Sequence, residues 1–157
     1  MLVSVLLACT FPSNGQILKS WHGEWKGLMH IYKQGMQTDS VPIVLEVRPL
    51  SDSVLVWKTS YLSVKMPMVK DYTMKVIDPA KGHYATDEGE GLLLDTYLYD
   101  NSLYSVFEVQ DILLTANYRL QGNEIIFEVT SGRKAGKVPG DVNNYSVNFL
   151  QKAILKK

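Results

Sequence analysis

The side chains of this 157-residue chain that could do chemistry are three histidines, four neighbouring acids and a scattered aromatic set. His22, Glu24 and His30 share a parity, so an extended strand would turn them to one side. The eight residues from His22 to His30 nevertheless span about 26 Å at strand rise, too far for one metal ion. Asp87, Glu88, Glu90 and Asp95 offer hard oxygen ligands with glycines between them, but without the spacing of a calcium loop, and they read as a solvated hairpin tip. Gly132-Arg133-Lys134-Ala135-Gly136-Lys137-Val138 is one residue short of a phosphate-binding loop and ends in Val where a hydroxyl would hold the metal. There is no Gly-x-Ser-x-Gly, and no histidine has a recognisable partner for activating a nucleophile. The sequence therefore assigns no catalytic residue, no metal and no cofactor.

The aromatic set points elsewhere. Trp57, Tyr72, Tyr84, Tyr97, Tyr104, Phe107, Tyr118 and Phe127 all fall on segments that read as strands. Half the set is tyrosine or more, and a tyrosine joins an apolar ring to a polar tip, which suits a pocket for an amphipathic molecule. Ordinary core packing accounts for most of the same residues. Arg48 and Arg119 also lie on strands. An inward arginine must meet an anion, here Glu46, Glu108, Glu128 or a ligand carboxylate. The candidate ligand-binding residues are the eight aromatic residues together with Arg119.

The elements that must position these groups are strands. From about residue 20 the apolar pattern has period two, without sustained helical spacing. Strands are expected near 22–33, from Val41 to Val47, from Val54 onward, and around Tyr72–Val76. Further strands are expected near 83–88, 91–99, 103–109, 113–120, 125–129 and 145–155. Pro49–Asp52 and Met66-Pro67-Met68 should interrupt pairing, because proline cannot donate to a ladder. Asp100-Asn101 and Gln121-Gly122-Asn123 read as hairpin turns. No helix-length crossover separates strands, so the class is all-β and the chain an up-and-down meander of about ten strands. Closing such a meander into one antiparallel barrel hides its edges. A two-sheet sandwich is the rival arrangement.

The first residues are of another kind. Leu2 to Ala8 form an apolar run too short to span a bilayer, matching the hydrophobic core of an export signal. Ser13 and Gly15 supply a small-x-small cleavage pattern, so residues 1–15 are expected to be a signal segment and 16–157 the barrel domain. No Lys or Arg precedes the run. Leu6-Leu7-Ala8-Cys9 resembles a lipobox, which would make Cys9 the attachment point of a lipid anchor instead. Either version places the protein outside the cytoplasm: periplasmic, envelope-anchored or secreted. The intact mass of natively produced protein tests this; retention of Met1–Cys9 without lipid would refute both versions. Cys9 is the only cysteine, so the folded domain would hold no disulfide. Formal net charge is zero, with no basic face for nucleic acid, and no stretch is long and apolar enough for a transmembrane helix.

Gly23-Glu24-Trp25, at the start of the first strand, resembles the Gly-x-Trp signature of lipocalins within the wider calycin group, over roughly residues 20–155. The resemblance implies a barrel whose Trp25 plugs the closed end and whose Gly23 permits close approach of chain segments. It departs from the pattern in two places. Asp95-Thr96-Tyr97 carries the residues of the usual Thr-Asp-x-Tyr segment in another order, and the last strand offers Lys152 and Lys156 where lipocalins set an arginine over the tryptophan. Some calycin-like barrels hold haem through one histidine, and His83 is the residue that could do so here.

The leading expectation is non-enzymatic binding of a small hydrophobic or amphipathic molecule in the barrel cavity. An enzyme using the same cavity, through a tyrosine or glutamate, is the second reading. The third is an envelope protein that binds another protein through an exposed sheet. A binder needs one or two inward polar groups, such as Arg119 and a tyrosine; an enzyme needs an acid–base pair within hydrogen-bond reach. A cavity under about 300 Å³ from which nothing co-purifies would favour the third reading.

Overall fold

A computed structural model describes residues 18–136 and 138–157. The expected signal segment, Cys9 and the cleavage site lie outside the described residues. Ten strands follow in order: β1 Gly23–Lys33, β2 Met36–Ser51, β3 Val54–Tyr61, β4 Met68–Asp78 and β5 His83–Asp87, then β6 Leu93–Tyr99, β7 Ser102–Val109, β8 Ile112–Gln121, β9 Glu124–Lys134 and β10 Tyr145–Lys156. Each pairs antiparallel with its sequence neighbour, and β1 pairs with β10, from Lys26 opposite Lys156 to Lys33 opposite Phe149. The result is a closed up-and-down barrel, not the rival sandwich.

One strand runs further at both ends than its sequence suggests. The first hairpin turns over Gln34-Gly35 alone, so β2 begins at Met36. It continues through Pro49, and a register shift between Pro49 and Ser51 absorbs the proline. The Met66-Pro67 segment does leave the ladder, in the loop between β3 and β4.

Strand parity divides inside from outside. Inward positions include Trp25 and Met29 of β1, Ile43, Leu45 and Val47 of β2, Leu55 and Trp57 of β3, and Met74 of β4. Tyr84, Leu103, Leu120, Ile125, Phe127 and Leu155 complete a continuous core. That core fills the end of the barrel where β1 starts and β10 finishes. A short 3₁₀ turn, Lys19–Trp21, lies across this end and buries Leu18 and Trp21. The Trp25 indole N–H donates to the Trp21 carbonyl at 2.8 Å, and the Trp21 and Trp57 rings sit 5.9 Å apart.

The cation over Trp25 comes from neither Lys152 nor Lys156, which pair outside with Glu128 and Glu124. It is Lys157, with Nζ 4.5 Å from the indole centroid. Gly23 has φ +143°, and a Cβ there would lie 2.9 Å from Lys157 Cε. The tighter backbone approach is at Gly27, where a Cβ would run into the Ile154 carbonyl oxygen of β10.

Candidate functional site

The other end of the barrel is hollow. A cavity of about 190 Å³ occupies the half that faces the β3–β4, β5–β6 and β7–β8 turns, and its two walls differ. The β3–β5 wall presents Thr59, Tyr61, Lys70, Tyr72, Thr86 and Glu88. The β8–β10 wall is mostly apolar, with Leu114, Ala116, Phe127, Val129, Phe149 and Leu150. Trp57 and Tyr118 form the floor between the walls, their rings edge to face at 5.2 Å, and Tyr118 stacks on Phe127 at 4.4 Å.

Hydroxyl groups line the polar side in a connected series. Thr86 Oγ1 lies 3.0 Å from Thr96 Oγ1, which lies 2.7 Å from Ser105 Oγ. Thr96 is also bonded to the Leu94 carbonyl, so this buried oxygen is fully partnered. Burial raises the pKa of the Tyr72 phenol, and the Glu88 carboxylate beside its hydroxyl raises it further, to about 12. Burial likewise pushes the Tyr118 phenol up, against the opposing pull of the Trp57 and Thr59 donors. Tyr61 shifts the same way for the same first reason. All three phenols keep their protons at neutral pH and are available as hydrogen-bond donors.

Of the candidate ligand-binding residues, Trp57, Tyr72, Phe107, Tyr118 and Phe127 line this cavity. Tyr84 points inward but belongs to the filled half, with 0% exposure and, among the described residues, no partner for its hydroxyl. Tyr97, Tyr104 and Arg119 are corrections, for all three face outward. On β6 it is Leu94, Thr96 and Leu98 that turn inward, on β7 Leu103, Ser105 and Phe107, and on β8 Tyr118 and Leu120. Tyr97 and Tyr104 instead join Tyr99 in an outer row that begins at His83, whose ring stacks on Tyr97 at 4.6 Å. The His83 Nε2–H donates to the Asp95 carboxylate at 2.7 Å, on the outer surface and away from the cavity. Arg48 also faces out and pairs with Glu46 at 2.6 Å.

The four acids do not form one tip. Asp87 turns outward to Lys75 at 2.6 Å, and this hydrogen bond, chiefly, holds its carboxyl below the usual range. Asp95 meets His83, Glu90 sits exposed in a turn at φ +52°, and Glu88 turns into the cavity. Among the described residues no group of three or more His, Cys, Asp or Glu is placed to share a metal ion. Lys70, Glu88, Tyr61 and Thr59 are cavity residues that the sequence reading missed. Parity was the available signal: Lys70 alternates with Tyr72 and Met74, and Glu88 with Tyr84 and Thr86.

A second hollow, about 410 Å³, lies outside the plugged end between Leu18, Lys19, His22 and the Ser51–Ser53 turn. Leu18, the first of the described residues, is part of its lining, and it is assigned no site.

No protein-family model and no curated protein matches this chain. Among solved structures it is similar to a protein of unknown function from the DUF3598 family of Nostoc punctiforme. The TM-score is 0.61 at 13% identity, over 89% of this chain and 49% of that one. The chain thus spans about half the length of that protein, and the likeness concerns the fold alone. Rv2717c from M. tuberculosis is also similar, with a TM-score of 0.47 at 11% identity, over 94% of this chain and 98% of that one. No helix among the described residues is long and apolar enough to cross a membrane.

Proposed function

We propose that this protein is a non-enzymatic binder that holds one small amphipathic molecule in the open half of a lipocalin-like barrel. The observation that carries the reading is the two-sided cavity, donors and charges on β3–β5 facing an apolar wall on β8–β10. An amphipathic ligand satisfies both walls at once, which neither a wholly apolar nor a wholly polar one does. At about 190 Å³ the space falls below the ~300–1,000 Å³ of drug-sized pockets. At interior packing density it suits a ligand of about ten non-hydrogen atoms. The export inferred from residues 1–15 belongs to the same proposal and would put the ligand in the envelope or outside the cell.

The contact between Tyr72 and Glu88 is what an enzymatic reading would use. A phenol whose pKa is pushed up to about 12 stays protonated at neutral pH and is a weak acid, so it neither takes up nor readily gives up a proton. That chemistry favours holding a ligand over transforming it.

Native mass spectrometry of protein purified gently from its source is the test. A co-purifying small molecule is expected from the wild type. It should be lost from Ala116→Phe, which projects a ring from the apolar wall into the cavity, provided that variant keeps the wild-type circular dichroism. If nothing co-purifies, the small cavity and the empty protein together favour the envelope protein–protein reading.

A further inference from the structure

Lys70 and Glu88 are the charged side chains among the described residues that line the cavity. Elsewhere the barrel pairs its charges along the outer face, as in Lys26–Glu24, Arg48–Glu46, Lys75–Asp87 and Lys152–Glu128. Neither Lys70 nor Glu88 joins an ion pair within 4.0 Å among the described residues, with each other or with any other group. Both instead flank Tyr72. Lys70 Nζ lies 5.7 Å from its ring centroid, and Glu88 stands beside its hydroxyl. Two opposite charges are thus turned into one partly enclosed space and left without a counter-charge.

A charge that has lost part of its water favours a partner in the same space. A ligand bearing only a carboxylate would answer Lys70 and set a like charge near Glu88. A ligand bearing only an amine would do the reverse. We infer that the ligand of the proposed site is a small zwitterion with an apolar tail, of the α-amino acid class. Its carboxylate faces Lys70 and the tyrosine hydroxyls. Its ammonium faces Glu88, with the neighbouring aromatic rings adding cation–π attraction. Its side chain lies on the wall formed by Leu114, Val129 and Phe149. A leucine-sized molecule matches the cavity volume, and its zero net charge matches that of the Lys70–Glu88 pair. The inference rests on the binding reading and narrows it.

Calorimetric titration of the full chain with four probes that share one hydrocarbon tests it: leucine, 3-methylbutylamine, 4-methylpentanoate and 4-methylpentan-1-ol. Leucine should bind at least about tenfold tighter than the other three, the scale of one charge-assisted hydrogen bond. Glu88→Gln should weaken leucine and the amine about tenfold and leave the acid no weaker. Lys70→Met should weaken leucine and the acid and spare the amine. If the neutral alcohol binds as tightly as leucine, the zwitterion is wrong and the amphipathic site stands. If none of the probes binds at millimolar concentration and nothing co-purifies from the source, both readings fall.

Discussion

Replacing Trp25 by alanine should remove about 3–5 kcal/mol of folding stability, the range for emptying a buried aromatic position. Trp25 is 0% exposed and makes three kinds of contact at once. It packs in the filled half of the barrel, donates to the Trp21 carbonyl and lies under Lys157. Alanine leaves a void and also strands a buried carbonyl, two costs that do not relieve each other. Against the ~5–15 kcal/mol total of an ordinary domain, the loss is large enough to lower the urea midpoint sharply. Urea titration followed by circular dichroism measures it, and a loss below about 1 kcal/mol would show that Trp25 is not the plug. Lys157→Ala should cost far less, since its cation–π contact is made from an exposed side chain.

Gly27→Val should be comparably damaging for the opposite reason. A Cβ at Gly27 meets the Ile154 carbonyl oxygen and comes within 2.9 Å of Leu155 Cδ2. The first obstacle is backbone held in the β1–β10 ladder, so relief requires the two strands to separate. A loss of about 3 kcal/mol or more is expected. Gly23→Ala is the contrast: its Cβ would meet only the end of the flexible Lys157 side chain, and its cost is mainly that of φ +143°. Should the two substitutions prove equally mild by denaturant titration, the close seam described here is not real.

The sequence disclosed the barrel because period-two patterning and hairpin turns are local signals. It disclosed the face of each strand less well. On β6 Leu94, Leu98, Tyr97 and Tyr99 are all apolar enough for the core, so alternation alone does not say which pair turns inward. Arg119 was drawn toward the cavity by its charge, yet Tyr118 and Leu120 on either side take the inward positions. Glu88 was assigned to solvent by the same reasoning in reverse. It lies one residue past β5, and parity carried beyond the strand end would have placed it inside. Gly27 and Lys157 act through β1–β10 contact, across nearly the whole sequence, where local reading carries no signal.

That contact also has a kinetic meaning. Nine of the ten pairings join strands that follow one another, closed by links of at most about ten residues at little entropic cost. The tenth joins Lys26 to Lys156 and must close a loop of over a hundred residues, which loop-length scaling puts roughly 3 kcal/mol above a hairpin turn. The meander can therefore zip from its hairpins while the seam forms late and opens early. Interactions made after the rate-limiting step act chiefly on unfolding, so Gly27→Val should accelerate unfolding far more than it slows refolding. A molecule in the cavity would touch both Leu150 and Gln151 of β10 and the wall of β3–β5. Occupancy would then slow the opening of the barrel, and the lifetime of the folded protein would report whether it is loaded.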